Sequence, residues 1–281
     1  MHFTLGHFHL DVVSDGTFWI DGGTVFGVVP RVIWEKLSPP DERNRIPLAL
    51  KSLLIRTPEA LVLVETGIGT KLSARDQKHH NFGRGTLVAE LAEIGVRPED
   101  VDFVIDTHLH FDHCGGNTVL EGGTPRPTFP RAKYVIQKRE WEDATHADGL
   151  TQAGYDPADF AVLAETGQLR LIDGDVEIVP GVTCRLTGGH TRGHQMVLVH
   201  SHGLTACYPG DVMLSTMHIK PNYITAYDLS QERTYAVKVK LIEEACEGRW
   251  VIVWGHDPKE WLSRLEKRDD KVVAVPVRTT G

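Results

Sequence analysis

A short segment of the chain, THLHFDH, holds three histidines and one aspartate within six positions, at His108, His110, Asp112 and His113. His108 and His110 are two residues apart, so in an extended segment their side chains project to the same side. Imidazole and carboxylate groups suit zinc, and manganese, iron, cobalt and nickel are also compatible with them. The segment therefore predicts a metal site, and one such loop can supply ligands to two adjacent divalent ions.

Other potential ligands follow apolar stretches that are typical of buried strands. Five predicted strands (LVLV, VDFVIDT, VTCRLTGG, LTACYPG and WVIVWG) are each followed within a short loop by such a residue, respectively Glu65, His108, His190, Asp211 and His256. If these strands lie side by side, their ends share one edge of a sheet, where functional side chains commonly sit on a rigid scaffold. The pattern predicts one pocket that collects ligands from distant parts of the chain.

The elements that position these residues are read from hydrophobic periodicity. FHLDVVSDGTFWIDGG (8–23) predicts a hairpin with turns at its Asp-Gly pairs. Helices are predicted over 85–95, 138–146, 231–248 and 258–268, and the third of these would bury Tyr235, Val239, Ile242 and Cys246 on one face. Strands occur in runs with helices between the runs, which predicts an α/β (α+β) fold with two layered sheets.

Composition limits the class of protein. The chain has 281 residues, of which 41% are hydrophobic and 24% charged, as in an ordinary soluble globular protein. A net charge of -8 without a basic patch argues against nucleic acid as a partner. We see no secretory signal and no apolar run long enough to cross a membrane. Four scattered cysteines without a CxxC pair indicate reduced thiols and a cytoplasmic location.

The motif set THLHFDH, GGHTRGH, PGD and WGH resembles that of the metallo-β-lactamase superfamily of metallohydrolases, over about residues 50–257. The resemblance implies a four-layer αββα sandwich of two mixed β-sheets flanked by helices, as a single domain over 1–281. It also implies a dinuclear site. In that site His108, His110 and His190 hold the first metal, Asp112, His113 and His256 hold the second, and Asp211 bridges both.

The chemistry expected of such a site is hydrolysis by a metal-bridged hydroxide, which attacks a small ester, lactone or similar substrate. Asp211 and Asp112 are the candidate catalytic carboxylates, with Asp112 a candidate for proton transfer to the leaving group. Asp106 and His194 are candidate partners that orient the metal ligands. The alternatives that the sequence leaves open are an iron-dependent oxidoreductase on the same fold, a phosphodiesterase and a non-catalytic metal-binding protein.

Several positions depart from the usual pattern of the superfamily. Glu65, a further candidate for orienting a ligand, stands where an aspartate is common. Arg192 occupies a place that is often proline or a small residue, and either contacts an anionic substrate or is solvated. Leu214 replaces a tyrosine of the quorum-quenching lactonases, and Tyr223 or Tyr227 are candidates to take its place at the substrate. The expected partner is a small molecule, and the aromatic residues of the N-terminal segment suit either a homodimer interface or the core.

Overall fold

The structure is a computed structural model, and it describes residues 1–83, 85–147, 149 and 151–278. The strands in chain order are β1 (His2–Leu5), β2 (Phe8–Asp21), β3 (Arg45–Arg56), β4 (Leu61–Val64), β5 (Phe103–Ile105), β6 (Thr118–Glu121), β7 (Thr124–Pro127), β8 (Lys133–Gln137), β9 (Leu169–Ile172), β10 (Val176–Val179), β11 (Val182–Leu186), β12 (Gln195–Ser201), β13 (Leu204–Tyr208), β14 (Val251–Val253), β15 (Leu262–Arg268) and β16 (Lys271–Pro276). The α-helices are α1 (Gly22–Phe26), α2 (Arg31–Trp34), α3 (Ala74–His79), α4 (Leu87–Glu93), α5 (Phe111–Cys114), α6 (Lys138–Thr145), α7 (Val162–Glu165) and α8 (Gln231–Glu247).

Two seven-stranded mixed sheets make up the centre of the fold. The first has the order β1-β2-β3-β4-β5-β8-β9, and the second has the order β10-β11-β12-β13-β14-β15-β16. Their facing sides pack together through apolar side chains such as Leu10, Val64, Val197 and Val253. Helices α4, α6 and α7 cover the outer face of the first sheet, and α8 covers the outer face of the second. The predicted αββα layering is therefore confirmed.

The five strand ends noted in the sequence meet at one edge of the sandwich. Strands β4, β5 and β8 run parallel in the first sheet, and β13 runs parallel to β14 in the second. Strand β11 has the same direction as β13, because both pair antiparallel with β12. The carboxyl ends of these strands consequently open onto a shared rim, and the loops that follow them carry the candidate ligands.

The predicted hairpin over 8–23 is wrong. Residues Phe8–Asp21 form one continuous strand that pairs with β3 along its whole length, with a bulge between Ser14 and Gly16. The Asp-Gly pair lies at this bulge, and the Asp15 carboxylate accepts hydrogen bonds from the backbone N–H groups of Gly69 and Leu87. The aromatic residues Phe8, Phe18 and Phe26 are buried in the core, so the structure favours the core over an exposed dimer surface for them.

The helix predicted over 258–268 is also wrong, since Leu262–Arg268 is strand β15 between β14 and β16. Its short apolar pattern fits both the 3.6-residue period of a helix and the two-residue period of a strand. The hydrogen bonds from the two neighbouring strands favour the strand. Strand β12, at Gln195–Ser201, was not predicted at all. Helix α3, at Ala74–His79, was not predicted either.

Helices α4, α6 and α8 lie where the sequence predicted them, and Ser230 caps α8 through a hydrogen bond from the Arg233 N–H. The predicted buried face of α8 is wrong, because Tyr235 and Val239 are 48% and 40% exposed. The buried residues of α8 are Thr234, Lys238, Leu241, Ile242 and Ala245. Thr234 and Lys238 are polar, so the pattern of hydrophobic residues could not predict that this face of the helix is buried. None of the helices in the described part of the chain is long and apolar enough to span a bilayer.

Candidate metal centre

All seven predicted ligands lie together at the shared rim, where five of them are buried and His110 and Asp112 are partly exposed. Among the described residues, three groups of three have ligand atoms no more than 4.8 Å apart: His108 with His110 and His190, Asp112 with His113 and His256, and Glu65 with His108 and His113. The first two share no residue, so each could hold an ion of its own. Each of these two groups combines residues of the THLHFDH loop with a histidine from the second sheet. The loop between β5 and β8 therefore contributes to both groups, as its spacing predicted.

In the first group the ring nitrogens point at one another. His110 Nδ1 lies 2.9 Å from His108 Nε2 and 3.2 Å from His190 Nε2. In the second group, His113 Nε2 lies 3.1 Å from His256 Nε2. Asp112 Oδ2 is 3.6 Å from the same nitrogen of His113.

Asp211 lies between the two groups and faces both. Its Oδ2 is 3.4 Å from His190 Nε2, and its Oδ1 is 3.3 Å from His113 Nε2 and 3.2 Å from His256 Nε2. Oδ1 is buried without a hydrogen-bond donor among the described residues. One carboxylate thus presents an oxygen to each group, which is the arrangement that a bridging ligand requires.

These separations fit ions better than hydrogen bonds. Ligands about 2.0–2.2 Å from a tetrahedral zinc are about 3.3 Å from each other, whereas facing ring nitrogens without a shared proton repel. The observed nitrogen–nitrogen and nitrogen–oxygen separations among Asp211 and the five histidines lie between 2.9 and 3.4 Å, close to that value. The donor set, imidazole and carboxylate without thiolate, also suits a divalent metal.

Hydrogen bonds on the far side of each ring fix the tautomers. The Thr107 hydroxyl donates to Glu65 Oε1, so it accepts from His108 Nδ1–H at 3.0 Å. His256 Nδ1 lies 2.7 Å from the Ala49 carbonyl and must donate to it. The Nε2 lone pairs of both rings are therefore directed into the pocket. The neighbouring groups prepare these imidazoles to bind a cation.

Glu65 accepts hydrogen bonds from several of the groups that surround the proposed ligands. Its Oε1 accepts from Thr107 and from His113 Nδ1–H at 2.7 Å, and its Oε2 accepts from the Tyr208 hydroxyl at 2.5 Å. The residue has a left-handed backbone with φ of 63°, which is uncommon outside glycine. Through His113 directly and through Thr107 to His108, one carboxylate orients a member of each ligand group.

His194 faces away from ion binding. It donates from Nδ1 to the Thr187 hydroxyl at 2.6 Å, because that hydroxyl gives its own proton to the His194 carbonyl. Its Nε2 accepts from the backbone N–H of Asp211 at 3.0 Å, so its lone pair is occupied. His194 therefore holds the loop that presents Asp211.

Charge in the pocket favours a cation. Burial, together with neighbouring imidazoles, lowers the pKa of His108 and His110 well below the ordinary value, so both rings are neutral. Although burial opposes ionisation, the imidazoles of His113 and His256 hold the pKa of Asp211 well below its usual range. The effect is mutual: although burial opposes it, Glu65 and Asp211 raise the pKa of His113, and Asp211 raises the pKa of His190 and of His256. Asp211 thus attracts positive charge to this buried site, and a bound cation would take the place of the protons on these rings.

A family model decides the assignment. The model described as the metallo-beta-lactamase superfamily matches residues 47–256, which include every ligand listed above. The chain belongs to the metallo-beta-lactamase superfamily. It is a metallohydrolase, and a dinuclear site with zinc is typical of the family.

Relatives of known structure or activity agree with this membership. An N-acyl homoserine lactonase of Bacillus cereus is 25% identical over 230 residues, which cover 76% of this chain and 83% of that protein. A probable metal-dependent hydrolase from Staphylococcus aureus is 27% identical, with a TM-score of 0.91, and the match covers 99% of this chain and 100% of that one. AidC, a dizinc quorum-quenching lactonase, shares the fold with a TM-score of 0.81 at 20% identity, over 100% of this chain and 98% of its own.

Three predicted residues of this metallo-beta-lactamase site lie outside the ligand set. Asp106 is buried and accepts from Asn117 Nδ2 at 2.8 Å rather than from a ligand ring. The Arg192 side chain is 65% exposed and paired with Asp143. Tyr223 is buried against Phe26 in the core beside the site. The structure shows none of the three in contact with the two ligand groups.

Other residues near the ligands escaped the sequence reading. Glu140, fully buried on α6, accepts from the Leu109 N–H and from the Thr191 hydroxyl, which ties together the two loops that carry His110 and His190. Asp228 lies beside His190. An acidic residue within a polar helix or loop gives no periodic signal, so only the tertiary contacts reveal these roles.

Proposed function

We propose that this metallohydrolase opens a small lactone or ester, with two divalent ions held by the two ligand groups. The first group is His108, His110 and His190, the second is Asp112, His113 and His256, and Asp211 bridges them. The observation that carries the proposal is the position of Asp211, which presents one oxygen to each group. Two divalent ions in such a site supply an activated water near neutral pH and polarise a carbonyl oxygen.

The solvent exposure of the proposed ligands indicates from which side a substrate reaches them. Among the ligands, His110 and Asp112 are partly exposed, together with Phe111 between them, whereas His108, His113, His190, Asp211 and His256 are buried. A substrate therefore approaches along the 110–112 segment. The Phe111 ring packs edge-on against Phe18 at 6.3 Å and forms an apolar wall beside this opening. A compact ester or lactone with an apolar substituent suits that wall.

Asp112 suits the transfer of the proton that the reaction needs. Water adds to the carbonyl carbon, the bond between that carbon and the alkoxy oxygen breaks, and the leaving oxygen takes a proton to become a hydroxyl. The products are an alcohol and a carboxylic acid, which loses its proton to the solvent near neutral pH, and a lactone gives both groups in one molecule. The Asp112 carboxylate lies at the open side, where its second oxygen can carry a proton from the water to the leaving oxygen.

The lactone class rests on similarity as well as geometry. The curated relatives that match most of the chain are named N-acyl homoserine lactonases, at 25–26% identity. At that identity, similarity supports an inference about the type of bond that is broken. It gives less support to an inference about which acyl chain or ring substituent the substrate carries. We therefore propose lactone opening as the reaction, without assigning the side groups of the substrate.

The experiment is a substrate panel measured on zinc-loaded and manganese-loaded protein. It contains N-acyl homoserine lactones of several chain lengths, unsubstituted lactones, aryl esters, thioesters and phosphodiesters. Metal-dependent turnover should be highest with a lactone, and His256→Ala should abolish it. Turnover only on the phosphodiesters, or none on any class, would overturn the proposal. Iron rather than zinc in anaerobically purified protein would instead support the oxidoreductase alternative.

We also propose a cytoplasmic location. The location is supported by the four cysteines, all of which are free thiols. Cell fractionation tests it, and recovery of the protein outside the cytoplasmic fraction would contradict it.

A further inference from the structure

His190 differs from the other histidines of the site in the support of its outer nitrogen. His190 Nδ1 is buried and has no hydrogen-bond partner in the described structure, whereas His108, His113 and His256 each have one at the equivalent nitrogen. The acidic group beside it is Asp228, whose Oδ1 lies 3.7 Å away. A buried nitrogen in this position needs an acceptor if Nε2 is to bind a cation.

Asp228 is itself held rigidly by donors. Its Oδ2 accepts from the backbone N–H and the hydroxyl of Thr225 at 3.0 and 2.6 Å, and its Oδ1 accepts from the Thr234 hydroxyl at 2.7 Å. The carboxyl group is 1% exposed. The Thr225 backbone N–H can only donate, so an amide would keep its oxygen there and place its N–H₂ at the Oδ1 position, where it faces His190 Nδ1 and cannot accept from it.

The first turn of helix α8 is fastened to the loop that carries His190. Leu229 N–H donates to the His190 carbonyl, and Ser230 N–H donates to the Gly189 carbonyl. Gly189 lies so close to Thr234 that an added Cβ would be 2.4 Å from its hydroxyl oxygen. Side chain, backbone and packing thus all connect the start of α8 to His190.

We propose that Asp228, held in place by Thr225 and Thr234, is the positioning residue that orients His190 for metal binding. The N-terminal turn of α8 is then part of the metal centre, which accounts for its buried polar face. This inference rests on the ligand assignment proposed above.

The test measures zinc affinity at each of the two sites by competition with chelators of graded strength, alongside the free energy of unfolding. Asp228→Asn should weaken one of the two zinc sites about 10- to 100-fold and leave the other within about twofold. The matched control is Asp11→Asn, another buried carboxylate, which contacts His2 and Arg56 and none of the ligands. It should leave both affinities unchanged.

A second pair of variants keeps the test valid if Asp228→Asn does not fold. Thr234→Val removes the hydroxyl that holds Asp228, and Thr234→Ser retains it. Zinc affinity at the same site should fall in Thr234→Val and recover in Thr234→Ser. Equal zinc affinity in all these variants and the wild type would overturn the inference about Asp228. Failure of the wild-type protein to bind two zinc ions would instead overturn the ligand assignment.

Discussion

The carboxylate of Glu65 joins His113 and Tyr208, with Oε1 2.7 Å from the ring nitrogen and Oε2 2.5 Å from the hydroxyl. The two partners come from different sheets, because His113 follows β5 and Tyr208 ends β13. An aspartate at this position is one methylene shorter, so the tyrosine contact makes use of the longer arm. Glu65 thereby fixes one ligand to the framework of both sheets.

Glu65→Gln should damage the metal centre without removing a ligand. An amide N–H₂ in place of Oε1 would oppose His113 Nδ1–H, and in place of Oε2 it would force the Tyr208 hydroxyl to donate to the Lys51 carbonyl instead. In either orientation His113 loses its charged acceptor. We expect a loss of about 1–3 kcal/mol in the free energy of unfolding and about 10- to 100-fold in zinc affinity. Urea unfolding and chelator competition measure the two effects.

Tyr208→Phe is the matched variant, since it removes only one donor from the same carboxylate. Its cost should be about 1 kcal/mol of stability, with zinc affinity within about threefold of the wild type. If Glu65→Gln bound zinc as tightly as Tyr208→Phe, Glu65 would have no role in orienting His113.

Zinc should stabilise the fold by an amount that grows with the logarithm of the free zinc concentration, and removal of the metal should destabilise it. A ligand that binds only the native state adds about 4 kcal/mol when its concentration is 1,000 times Kd. The Tm should therefore rise with buffered zinc and fall with EDTA. Native mass spectrometry should show two ions in the wild type and one in His256→Ala, which loses a member of the second group only. A Tm that does not respond to zinc would count against the buried site.

The pH dependence of stability should show a contribution from Asp15. Burial raises the pKa of Asp15 to about 6, although the N–H groups of Leu87 and Gly69 oppose that rise. Between pH about 4 and 6 the folded state binds more protons than the unfolded state, so the free energy of unfolding falls as pH rises. The loss is at most about 3 kcal/mol, and it levels off above the folded pKa.

Asp15→Asn isolates this effect. Its stability should be lower than that of the wild type at acid pH, and the gap should narrow as pH rises from about 4 to 6. The pH dependence of the metal centre is common to both proteins, so it cancels in the difference. Chemical denaturation of both proteins at each pH makes the measurement, and a gap that is constant with pH would contradict the shifted pKa.

The sequence allowed the seven proposed ligands to be placed together because their side chains follow apolar strands, and buried parallel strands end at one edge. His194 was also noticed from its spacing to His190. Glu140 and Asp228 could not be found this way, since each acts on a ligand that is distant in sequence. The buried face of α8 was predicted wrongly for the same reason, since its polar residues are buried by contacts with a segment that lies outside the helix. Lys238 and Thr234 are buried because they hold the 223–228 segment, with Lys238 Nζ 2.5 Å from the Tyr223 carbonyl.

Glu140 should affect zinc affinity as strongly as one of the proposed ligands does, although it is not a member of either ligand group. Its carboxylate accepts from the Leu109 N–H at 2.9 Å, the Tyr155 hydroxyl at 3.1 Å and the Thr191 hydroxyl at 2.5 Å. Leu109 lies between two ligands of the first group and Thr191 follows the third, so Glu140 sets the distance between their loops. Gly193 permits this approach, because a Cβ there would lie 2.2 Å from the Glu140 nitrogen.

Glu140→Gln is expected to lower the free energy of unfolding by about 1–3 kcal/mol and to weaken zinc binding by about 10- to 100-fold, since one of three donors would face an amide N–H₂. Glu142→Gln is the control, because it removes an exposed carboxylate from the same helix and should change neither quantity. Both variants are compared by urea unfolding and by competition with a zinc chelator. Zinc affinity that is unchanged in Glu140→Gln, with only stability reduced, would assign Glu140 to the fold and leave the spacing of the two loops to the ions themselves.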